Sequence, residues 1–258
     1  MKKYKRIVVK IGTSTLAYDT GLLNIRSAES IVKVISDLQN SGKEFIIVSS
    51  GSIGMGRGKL RINLQDNDMP DRQACAAVGQ GVLMHTYDTL FSAYSHNIAQ
   101  VLLTRDVIDD EQRKVNIINT LSRLLELKCI PIINENDTVS TEEIEFGEND
   151  ILSAMAAVLV QADLLIILTD IDGLYETSPK ENPNAKFISK VTKINDEIKE
   201  MAGKTPGILG RGGMITKIHA AQHAGNYGID TVILNGSKPK QIYDFMNGKE
   251  VGTIFQLN

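Results

Sequence analysis

Six short runs of β-branched and other apolar residues recur along the chain, and longer helical patterns separate them. Such alternation is typical of βαβ units, in which helices cover both faces of a parallel sheet. The sequence therefore predicts an α/β fold around a mainly parallel sheet. The predicted strands are RIVVKI (6–11), EFIIVS (44–49), IAQVLLT (98–104), CIPIIN (129–134), DLLIILT (163–169) and DTVILN (230–235). The predicted helices lie near residues 25–40, 71–94, 113–127, 150–161, 213–226 and 239–247.

The composition suits a chain that forms its own core. Of its 258 residues, 42% are hydrophobic, which is enough to bury roughly 70 to 75% of the unfolded surface in one large or two closely joined domains. The formal net charge of -3 gives no general attraction to nucleic acid or to an anionic membrane. We therefore expect neither as a partner.

The cysteines and the apolar stretches bear on the compartment. Cys75 and Cys129 lie far apart without CxxC spacing, which is typical of reduced thiols. No stretch approaches the 18 or so uncharged apolar residues of a membrane span, and the apolar run near the N-terminus is too short for a signal peptide. We expect a cytoplasmic protein.

Four of the predicted strands end in small polar residues. The exits read KIGTS (10–14), VSSGS (48–52), INEND (133–137) and LTDIDG (168–173). In an open parallel sheet these exits lie along one edge, where ligands bind at the switch in strand order. The sequence therefore predicts a ligand site at this edge.

Lys10 ends the first apolar run and is followed by Gly12 and two hydroxyl residues. An ammonium group at the end of a buried strand needs an anionic partner unless its side chain extends to the sheet edge. Backbone N-H groups and hydroxyls after Gly12 suit a phosphate. Together these features favour anion binding.

Two glycine-rich segments have different patterns. SSGSIGMGRGK (49–59) has neither Walker A nor GxGxxG spacing, so a P-loop NTPase is disfavoured. Its glycines suit either the close approach of a ligand or a bare loop or helix entry. GILGRGGMITK (207–217) precedes a helical pattern and places Lys217 one turn after Gly213. A phosphate would meet free N-H groups at such a helix N-terminus, although a flexible connection with a solvated lysine is the alternative.

The segment between the fourth strand and the next helix carries two Asn-Asp pairs. Asp150 follows Asn149 at a helix start, where an N-cap is the ordinary explanation. Asn134 and Asp137 follow a strand, where Asx turns are equally common. Neither explanation accounts for two such clusters in a chain that also has two glycine-associated lysines. His219 and His223 have i, i+4 spacing, but no HExxH motif or third ligand accompanies them, so a plain helix face is favoured.

The ordered motifs VVKIGTS, VSSGSIGMGR, AAVGQG, LLTRDVIDD, INENDTV, FGENDILSAMAA, LTDIDGLY, GRGGMITK and GSKP resemble those of the glutamate 5-kinases, a group within the amino acid kinase family. The resemblance runs from Lys10 almost to the C-terminus. LTDIDGLY and the glycine-lysine segment are widespread in the larger family and imply its fold and nucleotide use. KIGTS, INENDTV and FGEND are the parts that point to glutamate 5-kinase.

The resemblance implies a three-layer αβα sandwich of the amino acid kinase type. Residues 1–170 would form the amino-acid part and residues 171–258 the nucleotide part. The implied reaction is ATP-dependent phosphorylation of the side-chain carboxylate of L-glutamate to L-glutamyl 5-phosphate, the first step of proline biosynthesis. ATP and Mg²⁺ are the implied cofactors, and no metal ligand is assigned. Other implications are a homo-oligomer and transfer of the product to glutamyl phosphate reductase.

The resemblance also implies roles for individual residues. A glutamate carboxylate is already nucleophilic at neutral pH, so the enzyme would mainly align groups and neutralise charge. The implied catalytic residues are Lys10, Lys217 and Asp150, the aspartate orienting the lysines. The implied glutamate-binding residues are Ser50, Gly51, Asn134, Asp137 and Asn149, with Asp137 accepting from the ammonium and Ser50 and Asn149 donating to the α-carboxylate. The implied ATP-binding residues are Lys10, Gly12, Thr169, Asp170, Arg211, Gly212, Gly213, Met214, Ile215, Thr216 and Lys217.

The chain departs from the resemblance in two respects. Many glutamate 5-kinases carry a C-terminal PUA domain, which we do not expect here. Arg211 and Ile215 stand where small hydroxyl residues are common, so the nucleotide affinity is expected to differ. The alternatives are another carboxylate kinase acting on aspartate or N-acetylglutamate, a UMP kinase, or a non-catalytic amino acid sensor. A sensor should lose the lysines that this chain retains.

Overall fold

The computed structural model describes residues 4–18, 20–62, 69–104, 106–139, 148–179, 182–203 and 213–257. Its strands are β1 (Arg6–Ile11), β2 (Glu44–Ser49), β3 (Ile98–Leu103), β4 (Ile130–Glu135), β5 (Leu164–Thr169), β6 (Leu174–Tyr175), β7 (Phe187–Ile188), β8 (Lys190–Val191), β9 (Asp230–Asn235) and β10 (Thr253–Phe255). Its helices are α1 (Thr13–Leu16), α2 (Ile25–Asn40), α3 (Ser52–Leu60), α4 (Met69–Ser92), α5 (Asp106–Asp109), α6 (Glu111–Glu126), α7 (Glu148–Leu159), α8 (Asp196–Gly203), α9 (Met214–Gly225) and α10 (Gln241–Met246).

Eight strands form one sheet in the order β3-β4-β2-β1-β5-β9-β10-β8. The first six are mutually parallel, and β10 runs antiparallel to β9. In register, Val9 of β1 lies between Ile47 of β2 and Ile166 of β5. The predicted α/β fold with a mainly parallel sheet is therefore confirmed. The four strands with polar exits, β4, β2, β1 and β5, are parallel neighbours. Their carboxyl ends therefore lie side by side along one edge of the sheet.

Helices cover both faces of the sheet, because alternate residues of the central strands enter two separate cores. Val8 points into the core formed with α6, α7, α8 and α9. Its neighbours Ile7 and Val9 point into the core formed with α2, α4 and α10. Full burial of one such aliphatic side chain contributes about 1.5 to 3 kcal/mol. The predicted three-layer αβα arrangement is the result.

Helices α3 and α4 pack with their backbones in direct contact. A Cβ atom on Gly79 would overlap the carbonyl oxygen of Ser52, and one on Gly56 would overlap that of Cys75. The sequence left the role of the glycine-rich segment 49–59 open between the approach of a ligand and a loop or helix entry. Most of the segment lies in α3, and Gly56 allows the close packing of α3 on α4. Among the described residues, no helix combines the length and the apolar character needed to cross a bilayer.

Candidate functional site

Two lysines share one aspartate at the carboxyl end of the central strands. Lys10 is on β1, Asp150 is in the first turn of α7, and Lys217 is in the first turn of α9. The Nζ atom of Lys10 lies 2.8 Å from Asp150 Oδ1, and that of Lys217 lies 3.2 Å from Asp150 Oδ2. The exposed fractions are 8% for Lys10, 1% for Asp150 and 6% for Lys217. We call these three residues the charged trio.

The charged trio is coupled electrostatically. Burial alone would raise the pKa of Asp150, but the charges of Lys10 and Lys217 outweigh burial and hold that pKa below its usual value. Burial lowers the pKa of Lys217; Asp150 opposes this shift and Lys10 adds to it. Two ammonium groups and one carboxylate leave one net positive charge, which favours an anionic ligand.

Asp150 does not act as a simple helix cap. It is the third residue of α7, which begins at Glu148, and its Oδ2 accepts a hydrogen bond of 2.7 Å from Thr216 Oγ1 on α9. Gly213 is the N-cap of α9 and offers no side-chain cap. The N-H groups of the first turn of α9 therefore lie free of a side-chain cap beside Lys217, and the helix dipole gives this end a partial positive charge.

A second polar cluster lies next to the charged trio and joins the exits of β2 and β4. Asn149 Nδ2 donates to Ser50 Oγ at 2.8 Å, to Asn134 Oδ1 at 3.1 Å and to the Ser49 carbonyl at 3.2 Å. Ser52 Oγ lies 3.4 Å from Asn134 Nδ2. Together with the residues described in the next paragraph, these form what we call the amide cluster.

Asp137 and Gln80 complete the amide cluster. Ser52 Oγ donates to Asp137 Oδ2 at 3.0 Å. Burial raises the pKa of Asp137, while the hydrogen bond from Ser52 and the charge of Arg72 oppose that shift. Asn134 Nδ2 donates to Gln80 Oε1 on α4 at 2.9 Å. The cluster thus contains a half-buried carboxylate suited to accept from an ammonium group.

Comparison with known proteins identifies the family of this chain. The sequence profile described as "Amino acid kinase family" matches residues 5–235. The chain belongs to the amino acid kinase family. It is 49% identical to the glutamate 5-kinase of Clostridium perfringens over 99% of this chain and 96% of that protein. It is 48% identical to that of Listeria innocua over 99% of this chain and 94% of that protein. The resemblance that the motifs predicted is therefore confirmed.

Solved structures with the amino acid kinase fold are more distant in sequence. The isopentenyl phosphate kinase of T. acidophilum has a TM-score of 0.67 at 19% identity, with 98% of this chain and 100% of that chain covered. The UMP kinase of Bacillus anthracis has a TM-score of 0.68 at 17% identity, with 99% and 97% covered. At this distance the likeness shows the shared fold only.

The remaining nucleotide residues expected for an amino acid kinase lie at the ends of β1, β5 and α9. Gly12 begins α1 directly after β1, and Thr169 Oγ1 donates to Asp170 Oδ1 at 3.2 Å where β5 ends. Met214 is buried in the core, so only its backbone is available to a nucleotide, and Ile215 packs against the same core. The predictions for Arg211 and Gly212 lie outside the described residues.

The structure adds residues that sequence reasoning did not assign to the site. Ser52 and Gln80 join the amide cluster. Ser49 Oγ lies 2.9 Å from the hydroxyl of Tyr87, which is fully buried on α4. The motif AAVGQG (76–81), although part of the resemblance, was the only signal for Gln80. A buried polar residue on a helix has no periodicity that separates it from ordinary core positions.

Proposed function

We propose that this protein phosphorylates the side-chain carboxylate of L-glutamate with ATP, giving L-glutamyl 5-phosphate in the first step of proline biosynthesis. The observation that carries the proposal is the identity of 49% to a glutamate 5-kinase over nearly the whole of both chains. The charged trio and the amide cluster supply the chemistry that this reaction requires. Kinases of this fold differ in their acceptor, and the near-full-length relatives together with the amide cluster support glutamate as the acceptor here.

The reaction needs charge neutralisation more than proton transfer. An oxygen of the glutamate γ-carboxylate attacks the γ-phosphorus of ATP, a new P-O bond forms, and the bond to the β-phosphate oxygen breaks as ADP leaves. Lys10 and Lys217 stabilise the negative charge of the transferred group from two sides. Asp150 is a positioning residue, because it holds both ammonium groups and offsets their mutual repulsion.

The two ends of the chain contribute different parts of this site. Residues 1–170 hold the amino acid and supply Lys10 and Asp150, while residues 171–258 hold the nucleotide and supply Lys217. The uncapped first turn of α9, from Gly213 to Thr216, faces the phosphates of ATP with its N-H groups. Gly12, Thr169 and Asp170 bind ATP at the strand ends. The resemblance assigns ATP binding to Arg211 and Gly212 as well.

Mg²⁺, the cofactor that the resemblance implies, would be held mainly through the phosphates of ATP and not by this chain. In the part of the chain that the structure describes, no three histidine, cysteine, aspartate or glutamate residues are placed to hold a metal ion. The carboxylate of Asp150 is already engaged by two lysines. This donor set suits an ion held through phosphate oxygens and water, which supplies further charge neutralisation when bound.

The amide cluster fits the amino acid end of glutamate. Asp137 accepts from the α-ammonium group. Ser50 Oγ accepts from Asn149 and keeps its own proton to donate to the α-carboxylate. Gly51 has a φ of 105° and begins α3 without a side-chain cap, so the first-turn N-H groups of α3 are a further place for that carboxylate. The γ-carboxylate then extends toward the charged trio.

The rival acceptors fit this arrangement less well. N-acetylglutamate has no ammonium group and would leave the carboxylate of Asp137 without a charge partner. Aspartate is one methylene shorter than the glutamate that the relatives' name specifies. A non-catalytic sensor has no need of two lysines around one aspartate, and burying this excess of positive charge has a free-energy cost.

The experiment that tests the function measures ADP release with each acceptor. We expect turnover with L-glutamate and little with L-aspartate or N-acetyl-L-glutamate. Lys10→Ala and Lys217→Ala should each lower turnover by about a hundredfold or more while the protein stays folded. The control is Lys114→Ala, which removes a half-exposed lysine paired with Glu111 on α6. Turnover only with another acceptor, or unchanged turnover in both lysine variants, would refute the proposal.

The proposal extends to the surroundings of the enzyme. L-glutamyl 5-phosphate is a reactive acyl phosphate, and shielding it from water favours direct transfer to glutamyl phosphate reductase. We place the protein in the cytoplasm as a homo-oligomer. Light scattering of the purified protein tests the oligomer, and a monomer at micromolar concentration would contradict it.

A further inference from the structure

Gln80 has a side-chain amide whose oxygen is engaged by the amide cluster and whose nitrogen has no protein acceptor within the ranges that the structure describes. The residue is nine-tenths buried on α4 with an exposed fraction of 9%. Its Oε1 accepts from Asn134, while its Nε2 atom is buried without a hydrogen-bond partner among the described residues. A buried donor left unsatisfied is energetically costly, so such a group in a candidate ligand site indicates an acceptor on the ligand.

The orientation of this amide follows from a backbone carbonyl. The Ser49 carbonyl only accepts, so the atom of Asn149 that lies 3.2 Å from it must be the nitrogen. That nitrogen faces Asn134, whose nearer atom is therefore its oxygen. The nitrogen of Asn134 then faces Gln80, which must present its oxygen. An amide flip of Gln80 would bring two NH₂ groups together, so its free atom is the donor nitrogen.

The other amides of the cluster have no donors to spare. The two protons of Asn149 are shared among three protein acceptors. Those of Asn134 are directed to Gln80 and Ser52. Asn149, which the sequence predicted as a donor to the α-carboxylate, is thus committed to the protein. The spare amide donor of the cluster belongs to Gln80.

Gln80 is connected through Asn134 and Ser52 to Asp137, and therefore to the part of the site proposed to bind the α-amino and α-carboxylate groups. Asn134 lies within reach of Ser52, and Ser52 binds Asp137, the proposed ammonium acceptor. The close packing of Gly79 on the Ser52 carbonyl sets α4 against the start of α3 and brings the next residue, Gln80, to the cluster. The negatively charged α-carboxylate of the amino acid lies beside that ammonium group, and it needs hydrogen-bond donors from the protein.

We propose that Gln80 is a specificity-determining residue that donates from Nε2 to the α-carboxylate of the amino acid. The inference rests on the proposed function and deepens it. Gln80 selects a substrate that has a free α-carboxylate beside its ammonium group. The charged trio acts at the γ-carboxylate of the same substrate.

The test exchanges the donor for an acceptor. Gln80→Glu keeps an oxygen for Asn134 but replaces the free NH₂ with a second oxygen. L-isoglutamine, the α-amide of glutamate, keeps the reacting γ-carboxylate and presents an NH₂ group at the α position. We measure kcat/KM for both substrates in the native enzyme and in the variant. The preference for glutamate over isoglutamine should fall by about a hundredfold in Gln80→Glu, and it should fall further as pH rises and the introduced carboxyl ionises.

The control is Gln39→Met, which removes the hydrogen bond from Phe45 N to a glutamine at the opposite end of β2. It should leave the substrate preference unchanged. If Gln80→Glu does not fold, Gln80→Met replaces it, with an expected fall of about tenfold in the same ratio. A preference within about twofold of the native value in the folded variant overturns the inference. A native enzyme without glutamate turnover would instead overturn the proposed function itself.

Discussion

Replacing Asp150 with asparagine should destabilise the protein far more than removing either lysine that it binds. Asp150→Asn leaves two ammonium groups, on Lys10 and Lys217, both more than nine-tenths buried, without their shared counter-ion. Removing one partner of a buried ion pair costs about 3 to 5 kcal/mol. A lysine can escape by losing its proton, which costs about 4.6 kcal/mol at pH 7 for an ordinary lysine pKa. We therefore expect a loss of about 4 kcal/mol.

Removal of one lysine has a different effect because the remaining groups stay paired. In Lys217→Met, Asp150 keeps Lys10 at 2.8 Å and Thr216 at 2.7 Å, and methionine fills the space at a cost of about 1 kcal/mol. In the Asp150→Asn background the same substitution removes an uncompensated charge. It should then raise stability by about 2 kcal/mol or more. The sign of the effect of Lys217→Met thus depends on Asp150.

The assay is urea unfolding at pH 7, followed by far-UV circular dichroism, of the native chain, both single variants and the double variant. Asp244→Asn is the matched control, since Asp244 forms an exposed ion pair of 2.6 Å with Lys249 and such pairs contribute less than about 1 kcal/mol. If Lys217→Met destabilises the Asp150→Asn variant as much as it destabilises the native chain, the electrostatic account of the charged trio is wrong.

Two further predictions concern the amide cluster. Because burial raises the pKa of Asp137, its carboxylate gains a proton at a higher pH than an ordinary aspartate. The KM for glutamate should therefore rise as pH falls through that pKa. In Asp137→Asn the KM should be about 10 to 100-fold higher and should not rise further at low pH. A KM equal to that of the native enzyme in Asp137→Asn would contradict the role of Asp137 as the ammonium acceptor. Gly79→Ala would press a methyl group onto the Ser52 carbonyl, costing about 1 to 3 kcal/mol and raising the glutamate KM. Gly81→Ala, which meets nothing within 4 Å, should instead stabilise α4 by about 0.5 to 1 kcal/mol; similar melting temperatures for both glycine variants would count against the packing argument.

The central strands, and the edge of the sheet at which the candidate site residues come together, were predictable from the sequence. The central strands β1, β2, β4 and β5 each had an apolar run, because a parallel strand covered on both faces has no polar face. The edge strand β3 is only partly buried and is interrupted by Gln100. The polar residues that follow β1, β2, β4 and β5 indicated the ligand edge, because a polar residue directly after a buried apolar run marks the end of the strand. Strands of two or three residues, such as β6, β8 and β10, gave no comparable signal, because their pairing depends on neighbours distant in the chain.

The partners within the site were less predictable than its members. The sequence placed Lys10, Asp150 and Lys217 among the candidates, but it left open whether Asp150 capped its own helix. That choice depends on α9 lying beside α7, a tertiary contact. The helix α3 was missed because its glycines favour a loop by propensity. Contact with the backbone of α4 at Gly79 overrides that propensity.

The placement of β1 in the middle of the sheet has a consequence for biosynthesis. During synthesis β1 can pair early with β2 on one side, but on its other side it must wait for β5, whose Ile166 pairs with Val9. Lys217 emerges later still. Contacts this distant in sequence form slowly and late. A nascent chain that ends before α9 therefore lacks the complete charged trio. If the trio carries the reaction as proposed, activity during refolding should appear only after α9 has packed beside α7.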